Sequence, residues 1–288
     1  MTRSSWTEIA KILDTIQGFD TYTVISDFFA MSAIAVRNNV DFGREWQAYE
    51  DRYKAIVKKY NKNDLQAFVR ALAVFQGWIG QAIDGQIEFR DFAGELYMDS
   101  GTSNGKAGQF FTPFSVSSVM AEVDLDTDRM KKELEEDPDK VITIYEPTCG
   151  AGGIIVAAID KLRRANINYS WNVFVDCGDI DPRCVHMTYL TLSLLGVPAV
   201  VRRGDALALD YSETWFTPAY LFAWPHFKSR LRGGRYPYTP TVQEKQDATE
   251  NKTEVRAKEK KPEAAIPETV PATIREPVAD RYGQLSLF

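Results

Sequence analysis

Histidine and cysteine are scarce in this chain of 288 residues, which limits the metal sites it can build. It contains only His186 and His226, so a histidine metal site is not expected. Its three cysteines, Cys149, Cys177 and Cys184, form no Cys-x-x-Cys pair. An odd, low cysteine count is typical of reduced thiols in a cytosol rather than of disulfides or zinc sites. We therefore expect no bound metal and a cytoplasmic location.

The sequence also lacks a membrane segment and an excess of positive charge. Residues 1–8 contain no apolar core of a signal peptide. The longest apolar stretch, Val24 to Val36, carries Asp27 and is too short to span a bilayer, so it predicts a buried helix. Lys and Arg number 34 against 40 Asp and Glu, a net charge of −6. Any contact with nucleic acid must therefore come from local patches.

Residues 1–100 predict an all-helical domain. Between Phe42 and Tyr60, apolar and aromatic residues recur at helical spacing, which indicates one buried face. Such an aromatic stripe can serve as a base-stacking surface, but the core of a helix bundle is the favoured interpretation at this spacing.

Residues 101–235 alternate strand and helix instead. We predict strands over 141–145, 172–177 and 199–202, and a possible fourth over 219–223. This alternation predicts an α/β fold with a parallel sheet flanked by helices. Residues 236–283 hold six of the thirteen prolines and almost no large apolar residues, which predicts a disordered linker. Its basic run, Lys258 to Lys261, has acidic neighbours and fits a solvated linker better than a nucleic-acid patch.

A glycine-rich turn follows the first predicted strand. The segment Glu146-Pro-Thr-Cys-Gly-Ala-Gly-Gly153 opens onto a predicted helix at Ile154. Gly150 and Gly152 let the backbone come close to a ligand, and a helix N-terminus offers free N–H groups. The spacing matches neither the dinucleotide fingerprint nor the phosphate loop, and the turn contains no lysine. Nothing in it indicates a triphosphate.

The next two strands each end at a carboxylate. Asp179 can accept hydrogen bonds from both hydroxyls of a ribose, and Asp205 can accept one from an adenine amino group. A single Asp after a strand is more often a helix cap. Together with the glycine turn, however, the two carboxylates predict one ligand at the carboxyl edge of the sheet.

These segments together resemble the class I S-adenosylmethionine-dependent methyltransferases. They are most similar to the adenine-N6 DNA methylases related to the modification subunit of type I restriction systems. The resemblance covers about residues 85–227 and rests on Gly108-Gln-Phe-Phe-Thr-Pro113, the glycine turn, Asp179-Ile-Asp-Pro182 and Gly204-Asp205. It implies a Rossmann-like methyltransferase core, truncated to about four parallel strands, behind an all-helical domain.

The resemblance implies S-adenosylmethionine as cofactor and eight residues that bind it. They are Phe111, Thr112, Glu146, Gly150, Gly152, Asp179, Ile180 and Asp205. The first five would hold the methionine part, and the last three the ribose and adenine. Methyl transfer from this cofactor needs no metal; it needs alignment of the nucleophile with the methyl group and electrostatic fit.

The chain departs from the family at the catalytic motif. In the family, Asn-Pro-Pro and an aromatic residue lie at the end of the fourth strand. The Asn side chain and a proline carbonyl accept hydrogens from the target amine, and the aromatic ring stacks on the flipped base. Here the aligned segment is Trp224-Pro225-His226-Phe227, so Pro225, His226 and Phe227 are the candidate catalytic residues. Trp has no acceptor. His226 either replaces the missing Asn as acceptor or is an ordinary loop histidine.

A basic run follows this motif, where the family's sheet would continue for about three more strands. Its residues, Lys228, Arg230, Arg232 and Arg235, either contact DNA phosphates or belong to a solvated loop. The fourth strand would remain an open edge, which proteins usually cover. We therefore expect a homo-oligomer or a partner chain there, or a fold that has lost catalysis.

The last five residues, Gln284-Leu-Ser-Leu-Phe288, resemble the peptide by which bacterial proteins dock on the sliding clamp of DNA polymerase. Leu285, Leu287 and Phe288 would fill an apolar pocket, and Gln284 would orient the peptide. The alternative is an apolar chain end without a partner. Docking through a flexible tether would raise the effective concentration of the protein on DNA.

The sequence therefore predicts adenine-N6 methylation of double-stranded DNA by a bacterial or phage protein that the clamp recruits. Three alternatives stay open. The protein is a catalytically inactive adaptor that binds the cofactor, one subunit of a split methyltransferase, or an enzyme that methylates an amine in RNA or protein. The clamp peptide argues against the last.

Overall fold

A computed structural model describes residues 5–43, 45–98 and 111–231. All of them lie in one compact unit, Met1–Lys245. The predicted linker over 236–283, the terminal peptide, Arg232, Arg235 and residues 108–110 of the Gly-Gln-Phe-Phe-Thr-Pro segment lie outside the described residues. Across the described ranges, no helix is both long enough and apolar enough to cross a membrane.

The first part of the chain is helical, as predicted. Its helices are α1 (Ser5–Leu13), α2 (Thr21–Asn38), α3 (Trp46–Val57), α4 (Lys62–Ile83) and α5 (Phe92–Tyr97). Local signals set their starts: the Asp20 side chain accepts a hydrogen bond from the Thr23 N–H and begins α2. Asn61 and Asp64 form a reciprocal capping box at the start of α4.

The second part is a four-stranded sheet with helices on both faces. The strands, in spatial order, are β1 (Ile142–Glu146), β2 (Val173–Asp179), β3 (Ala199–Asp205) and β4 (Asp210–Phe216). The helices around them are α6 (Phe114–Asp124), α7 (Thr127–Glu136), α8 (Gly153–Arg164), α9 (Tyr169–Asn172), α10 (Pro182–Leu194), α11 (Pro218–Phe222) and α12 (Trp224–Arg230).

The α/β fold is confirmed, but the sheet is not entirely parallel. Strands β1, β2 and β3 run parallel, whereas β4 runs antiparallel to β3. The connection between β3 and β4, residues 206–209, is too short for a parallel crossover, which needs a dozen residues or more. The fourth strand predicted over 219–223 was wrong. Those residues form α11, which Pro218 opens at its first turn.

The two faces of the sheet are covered unequally. On one face, α8 and α10 bury Val175 and Val201 in a large hydrophobic cluster that continues into α1, α2 and α4. On the other face, α11 and α12 form a small cluster with Phe174 and Val200, which lie near the amino ends of β2 and β3. The helical part and the sheet thus share one core.

Candidate cofactor site

The glycine turn after β1 requires glycine at two positions. The φ angles of Gly150 and Gly152 are +54° and +91°, in the left-handed region that favours glycine. A Cβ atom on Gly152 would lie 3.0 Å from the Thr188 Oγ1 atom. That hydroxyl donates a hydrogen bond of 2.9 Å to the Gly150 carbonyl. The turn is therefore fixed against α10 with its backbone close to the start of α8.

Asp179, at the end of β2, contacts this turn directly. Its Oδ2 atom accepts a hydrogen bond of 3.0 Å from the Gly150 N–H, and its Oδ1 atom accepts one of 2.9 Å from the Asp181 N–H. Burial raises the pKa of this carboxyl. Each carboxylate oxygen keeps a further acceptor site, so Asp179 remains able to bind ligand hydroxyls.

Phe111 covers the other side of the turn. A Cβ atom on Gly150 would lie only 3.2 Å from the Phe111 Cδ1 atom. The Phe111 ring also meets the Tyr97 ring edge to face, with centroids 5.5 Å apart. Thr112 follows at an exposed position. The structure thus brings together Phe111, Gly150 and Asp179, which are far apart in sequence.

The remaining predicted cofactor residues lie at the same edge of the sheet. Glu146 ends β1, and its Oε1 atom accepts a hydrogen bond of 3.0 Å from the Thr148 N–H. Ile180 is 71% exposed directly after β2. Asp205 ends β3, and its Oδ1 atom accepts hydrogen bonds from the Leu207 and Ala208 N–H groups. Asp205 therefore also caps its own loop.

The set fits a nucleoside-containing cofactor. Asp179 and Asp205 offer carboxylate acceptors for hydroxyl and amino groups, and the exposed Ile180 side chain offers an apolar surface for a base. Among the described residues, no side chain caps the start of α8, where Gly152 is the N-cap. Carboxyl ends of parallel strands are where ligands bind in open α/β sheets.

Sequence reasoning missed Asp91, a buried carboxylate beside this site. Its Oδ1 atom accepts a hydrogen bond of 2.8 Å from the Gly94 N–H and caps α5. A Cβ atom on Gly153 would lie 2.9 Å from its Oδ2 atom, so Asp91 packs on the first residue of α8. Burial raises the pKa of Asp91 to about 6. The Asp-x-x-Gly spacing could have predicted that Asp91 caps α5. No local sequence pattern predicts its contact with α8.

Tyr97 provides a second contact between α5 and the site. Its hydroxyl accepts a hydrogen bond of 3.4 Å from Arg183 Nη1, and Arg183 is paired with Asp181 in the loop after β2. Together with the Phe111 contact, this makes α5 a common neighbour of all the segments around the turn. The helical part of the chain therefore helps to shape the site.

Residues 93–261 match the family model described as N-6 DNA Methylase. The chain belongs to the N-6 DNA methylase family. The match includes the glycine turn and the carboxylates at the ends of β2 and β3.

Two relatives of this chain are subunits of type I restriction systems. Over 99 residues, the chain is 29% identical to the type I restriction enzyme MjaIX methylase subunit of Methanocaldococcus jannaschii. The aligned region is 34% of this chain and 15% of that protein, so the chain spans only a small part of its relative. A crystal structure of the methyltransferase subunit of a type I restriction-modification system from Streptococcus thermophilus superposes with a TM-score of 0.32 at 13% identity. That superposition covers 72% of this chain and 58% of the other.

The catalytic roles predicted for Pro225, His226 and Phe227 do not fit the geometry of the structure. The His226 ring stacks on Trp171 at 3.9 Å, and its Nε2 atom lies 3.0 Å from the Trp171 carbonyl oxygen. Phe227 is fully buried in the cluster with Phe174.

These contacts place α12 at the amino end of β2. Phe174 and Asp179 are separated by five residues of extended strand, about 17 Å. We therefore correct the predicted catalytic role of this segment. The segment that aligns with the Asn-Pro-Pro motif packs at the amino end of β2, because residues 219–223 form a helix and not a strand that leads to the carboxyl edge.

The two described residues of the basic run, Lys228 and Arg230, lie at the same amino end. Arg230 pairs with Asp137 at 2.8 Å and with Asp139 at 3.3 Å, in the loop that leads to β1. Lys228 Nζ lies 6.0 Å from the centre of the Trp224 ring. Lys228 and Arg230 are thus not beside the mouth of the cofactor site, and Arg230 joins two segments of the fold.

Proposed function

We propose that this chain binds S-adenosylmethionine at the carboxyl edge of its sheet and is the cofactor-binding part of an adenine-N6 DNA methylase. The observation that carries the proposal is the contact between Asp179 and the Gly150 N–H, under the Phe111 ring. This contact joins three of the segments by which the chain resembles the family, and family membership supports the same cofactor.

In this proposal, each side chain of the site contacts a different part of the cofactor. Asp179 accepts the ribose hydroxyls, and its two backbone hydrogen bonds hold it in place for them. Ile180 packs on the adenine and Asp205 accepts its amino hydrogen. Glu146 accepts the amino group of the methionine part, which Phe111 shields from water. When bound, the cofactor supplies the activated methyl group.

In the described residues, the segment that aligns with the family's acceptor motif does not lie at the carboxyl edge, where the target amine needs an acceptor. No Asn-Pro-Pro sequence occurs in the 288 residues of the chain, and the segment aligned with that motif packs at the wrong end of the sheet. This favours the split-enzyme hypothesis, in which another chain contributes the acceptor for the hydrogens of adenine N6.

Calorimetry with S-adenosylmethionine tests the cofactor site. Asp179→Ala removes acceptors for two hydroxyls, and charged hydrogen bonds contribute about 1.5–3 kcal/mol each, so we expect affinity to fall by about 100-fold or more. The matched control is Asp128→Ala, an exposed carboxylate on α7. Equal affinity of the wild type and Asp179→Ala would show that the pocket is assigned wrongly.

The substrate is tested by transfer of labelled methyl groups to unmethylated double-stranded DNA in a single turnover. Label recovered as N6-methyladenine only when a partner chain is added supports the proposal. Transfer by the chain alone would place a working catalytic loop within it.

We also propose that the terminal peptide docks on the bacterial sliding clamp, which would bring the methylase to newly replicated DNA. Its complete Gln-Leu-Ser-Leu-Phe pattern supports this proposal. Deleting residues 284–288 is expected to abolish co-elution with the clamp and to leave cofactor affinity unchanged, whereas Ser286→Ala leaves both intact. Continued co-elution of the truncated chain would refute clamp docking by this peptide.

A further inference from the structure

Strand β1 has an unpaired outer edge. In the part of the chain that the structure describes, β1 pairs with β2 alone. On the face away from α8, Thr143 and Tyr145 are exposed, Tyr145 by 53%, whereas their register partners Phe174 and Asp176 are buried. Parallel strands are normally buried on both faces. Within the described residues, β1 therefore lacks the second neighbouring strand and the helix cover that parallel strands usually have.

The other edge strand is protected and β1 is not. Strand β4 carries Asp210 and Glu213, and the ladder beside it has an irregularity at Arg203/Gly204. Charges and bulges of this kind keep an edge from pairing with another chain. Strand β1 carries one charge, Glu146 at its last position, and from Ile142 to Tyr145 it has no charge, no proline and no bulge. The edge of β1 is therefore suited to pairing with a strand from another chain.

A neighbour at this edge would complete the cofactor crevice. Both connections between the parallel strands, through α8 and α10, lie on the same face, so the described sheet contains no reversal of strand order. In open α/β sheets, ligands bind where that order reverses. A parallel strand beyond β1, with its helix over Thr143 and Tyr145, would place the reversal at the glycine turn.

We propose that a second polypeptide adds a strand parallel to β1, and that the loop after this strand supplies the amide acceptor for the target amine. A parallel strand ends at the carboxyl edge of the sheet, beside Gly150 and Asp179, where that acceptor is needed. This inference rests on the proposed function and names the partner of the same site.

Two occupants within reach fit the edge less well. The chain's own residues 232–288 contain six prolines, and proline cannot donate to a ladder. A second copy of the chain would pair β1 with β1 about a two-fold axis, which makes the two strands antiparallel. Neither provides an Asn-Pro-Pro segment.

The test uses the full chain, tagged and purified from the cells that encode it, with the co-purifying polypeptide identified by sequence and then produced separately. Thr143→Lys places a charge on the exposed face of the β1 edge. Phe42→Lys is the matched control, because Phe42 is 76% exposed and lies in the loop after α2.

We expect one stoichiometric partner that contains Asn-Pro-Pro followed by an aromatic residue, and methyl transfer by the mixed pair. Thr143→Lys should weaken association at least tenfold and leave affinity for S-adenosylmethionine within twofold, and Phe42→Lys should change neither. In the complex, the β1 amides that exchange quickly in the isolated chain should become protected.

Four results would overturn the inference. They are methyl transfer by the isolated chain, β1 amides already protected in it, absence of such a partner, and association that Thr143→Lys does not weaken. If the chain and the complex both fail to bind S-adenosylmethionine, the proposed function is wrong as well. If the chain binds S-adenosylmethionine but one of these four results is obtained, the docking inference alone is overturned.

Discussion

A buried histidine and a buried carboxyl give this protein two opposing responses to pH. His186, on α10, lies against the Trp215 ring, and within the described residues its Nε2 atom has no hydrogen-bond partner. Burial, with the nearby charge of Arg52, lowers the pKa of His186 to about 3. Because the unfolded chain takes up this proton near pH 6.5 and the native chain does not, the free energy of unfolding falls as pH decreases below 6.5.

We predict that His186→Leu removes this acid sensitivity. In urea unfolding, the contribution lost by the wild type between pH 6.5 and pH 4 is about 3 kcal/mol, and the variant should not lose it. The comparison is the difference between variant and wild type at each pH. A difference that stays constant from pH 7 to pH 4 would mean that His186 titrates normally in the native state.

Asp91 should act in the opposite direction. Its pKa of about 6 lies above that of an unfolded Asp, near 3.9, so the native state holds the extra proton between these values. Stability from this group is complete below pH 3.9 and is lost as pH rises to about 6. Asp91→Asn keeps an acceptor for Gly94, so we expect unfolding free energy to fall more steeply with acid than in the wild type.

Gly152→Ala tests the glycine turn. The φ of +91° and the Thr188 hydroxyl 3.0 Å from the new Cβ atom should cost about 1–3 kcal/mol and weaken binding of S-adenosylmethionine. Gly77→Ala is the control. Gly77 lies in α4 with nothing within 4 Å of a Cβ, so this change should stabilise the protein by about 0.5–1 kcal/mol. Equal effects in thermal unfolding would contradict the strained turn.

At the scale of elements, strand β4 depends on a network around Glu213. Its carboxylate pairs with Arg52 on α3 and with Arg203 on β3, and accepts hydrogen bonds from Tyr49 and Trp215. Burial alone would raise the pKa of Glu213, but the hydrogen bond from Arg203 and the charge of Arg52 lower it to about 2. The network fixes β4 to the helical part.

We predict that Glu213→Ala destabilises the chain by about 2–4 kcal/mol, because it leaves partly buried arginines without their carboxylate. Glu136→Ala, at the end of α7, should change unfolding free energy by less than about 0.5 kcal/mol. Stability from the network should also disappear as pH falls from 4.5 toward 2. Chemical denaturation of both variants measures these changes in unfolding free energy.

The parallel strands were predictable and the segments after them were not. Strands expected over 141–145, 172–177 and 199–202 appear within a few residues of those bounds, because strands buried in a parallel sheet are continuous apolar runs. Strand β4 has alternating polar residues and gains its burial from α3. Residues 219–223 are apolar enough for a strand, but Pro218 and the packing of Tyr220 on Phe174 select a helix.

Some residues of the candidate site could also be predicted from the sequence, and others could not. Gly150 and Asp179 meet in the structure because the ends of parallel strands share one edge, which sequence reasoning can anticipate. Phe111 precedes α6 and follows no strand, so its contact with Gly150 could be expected only from the resemblance to the family. The contact of Asp91 with α8 depends on how the helical part packs on the sheet, and periodicity does not carry that information. His226 was misplaced for the same reason, since its partner, Trp171, is distant in sequence.

For the whole molecule, the shared core predicts one cooperative transition. A single hydrophobic cluster runs from Ile9 on α1 to Trp215 on β4. S-adenosylmethionine at 100 times its dissociation constant should stabilise the fold by about 2.7 kcal/mol. We expect hydrogen exchange to slow equally in α2, α4 and β2, which lie in both halves. Protection of the sheet without protection of α4 would show two independent units.

The order of strands in the sheet also governs how the molecule is made. Spatial order follows chain order, so each strand pairs with the one synthesised before it. Domains generally fold from the N-terminus during translation, and no described strand must wait to insert between two earlier ones. The outer edge of β1 is therefore presented to solvent while β3 is still being translated. The partner strand that we propose could then join the nascent chain on the ribosome, and two messages translated side by side would favour that assembly.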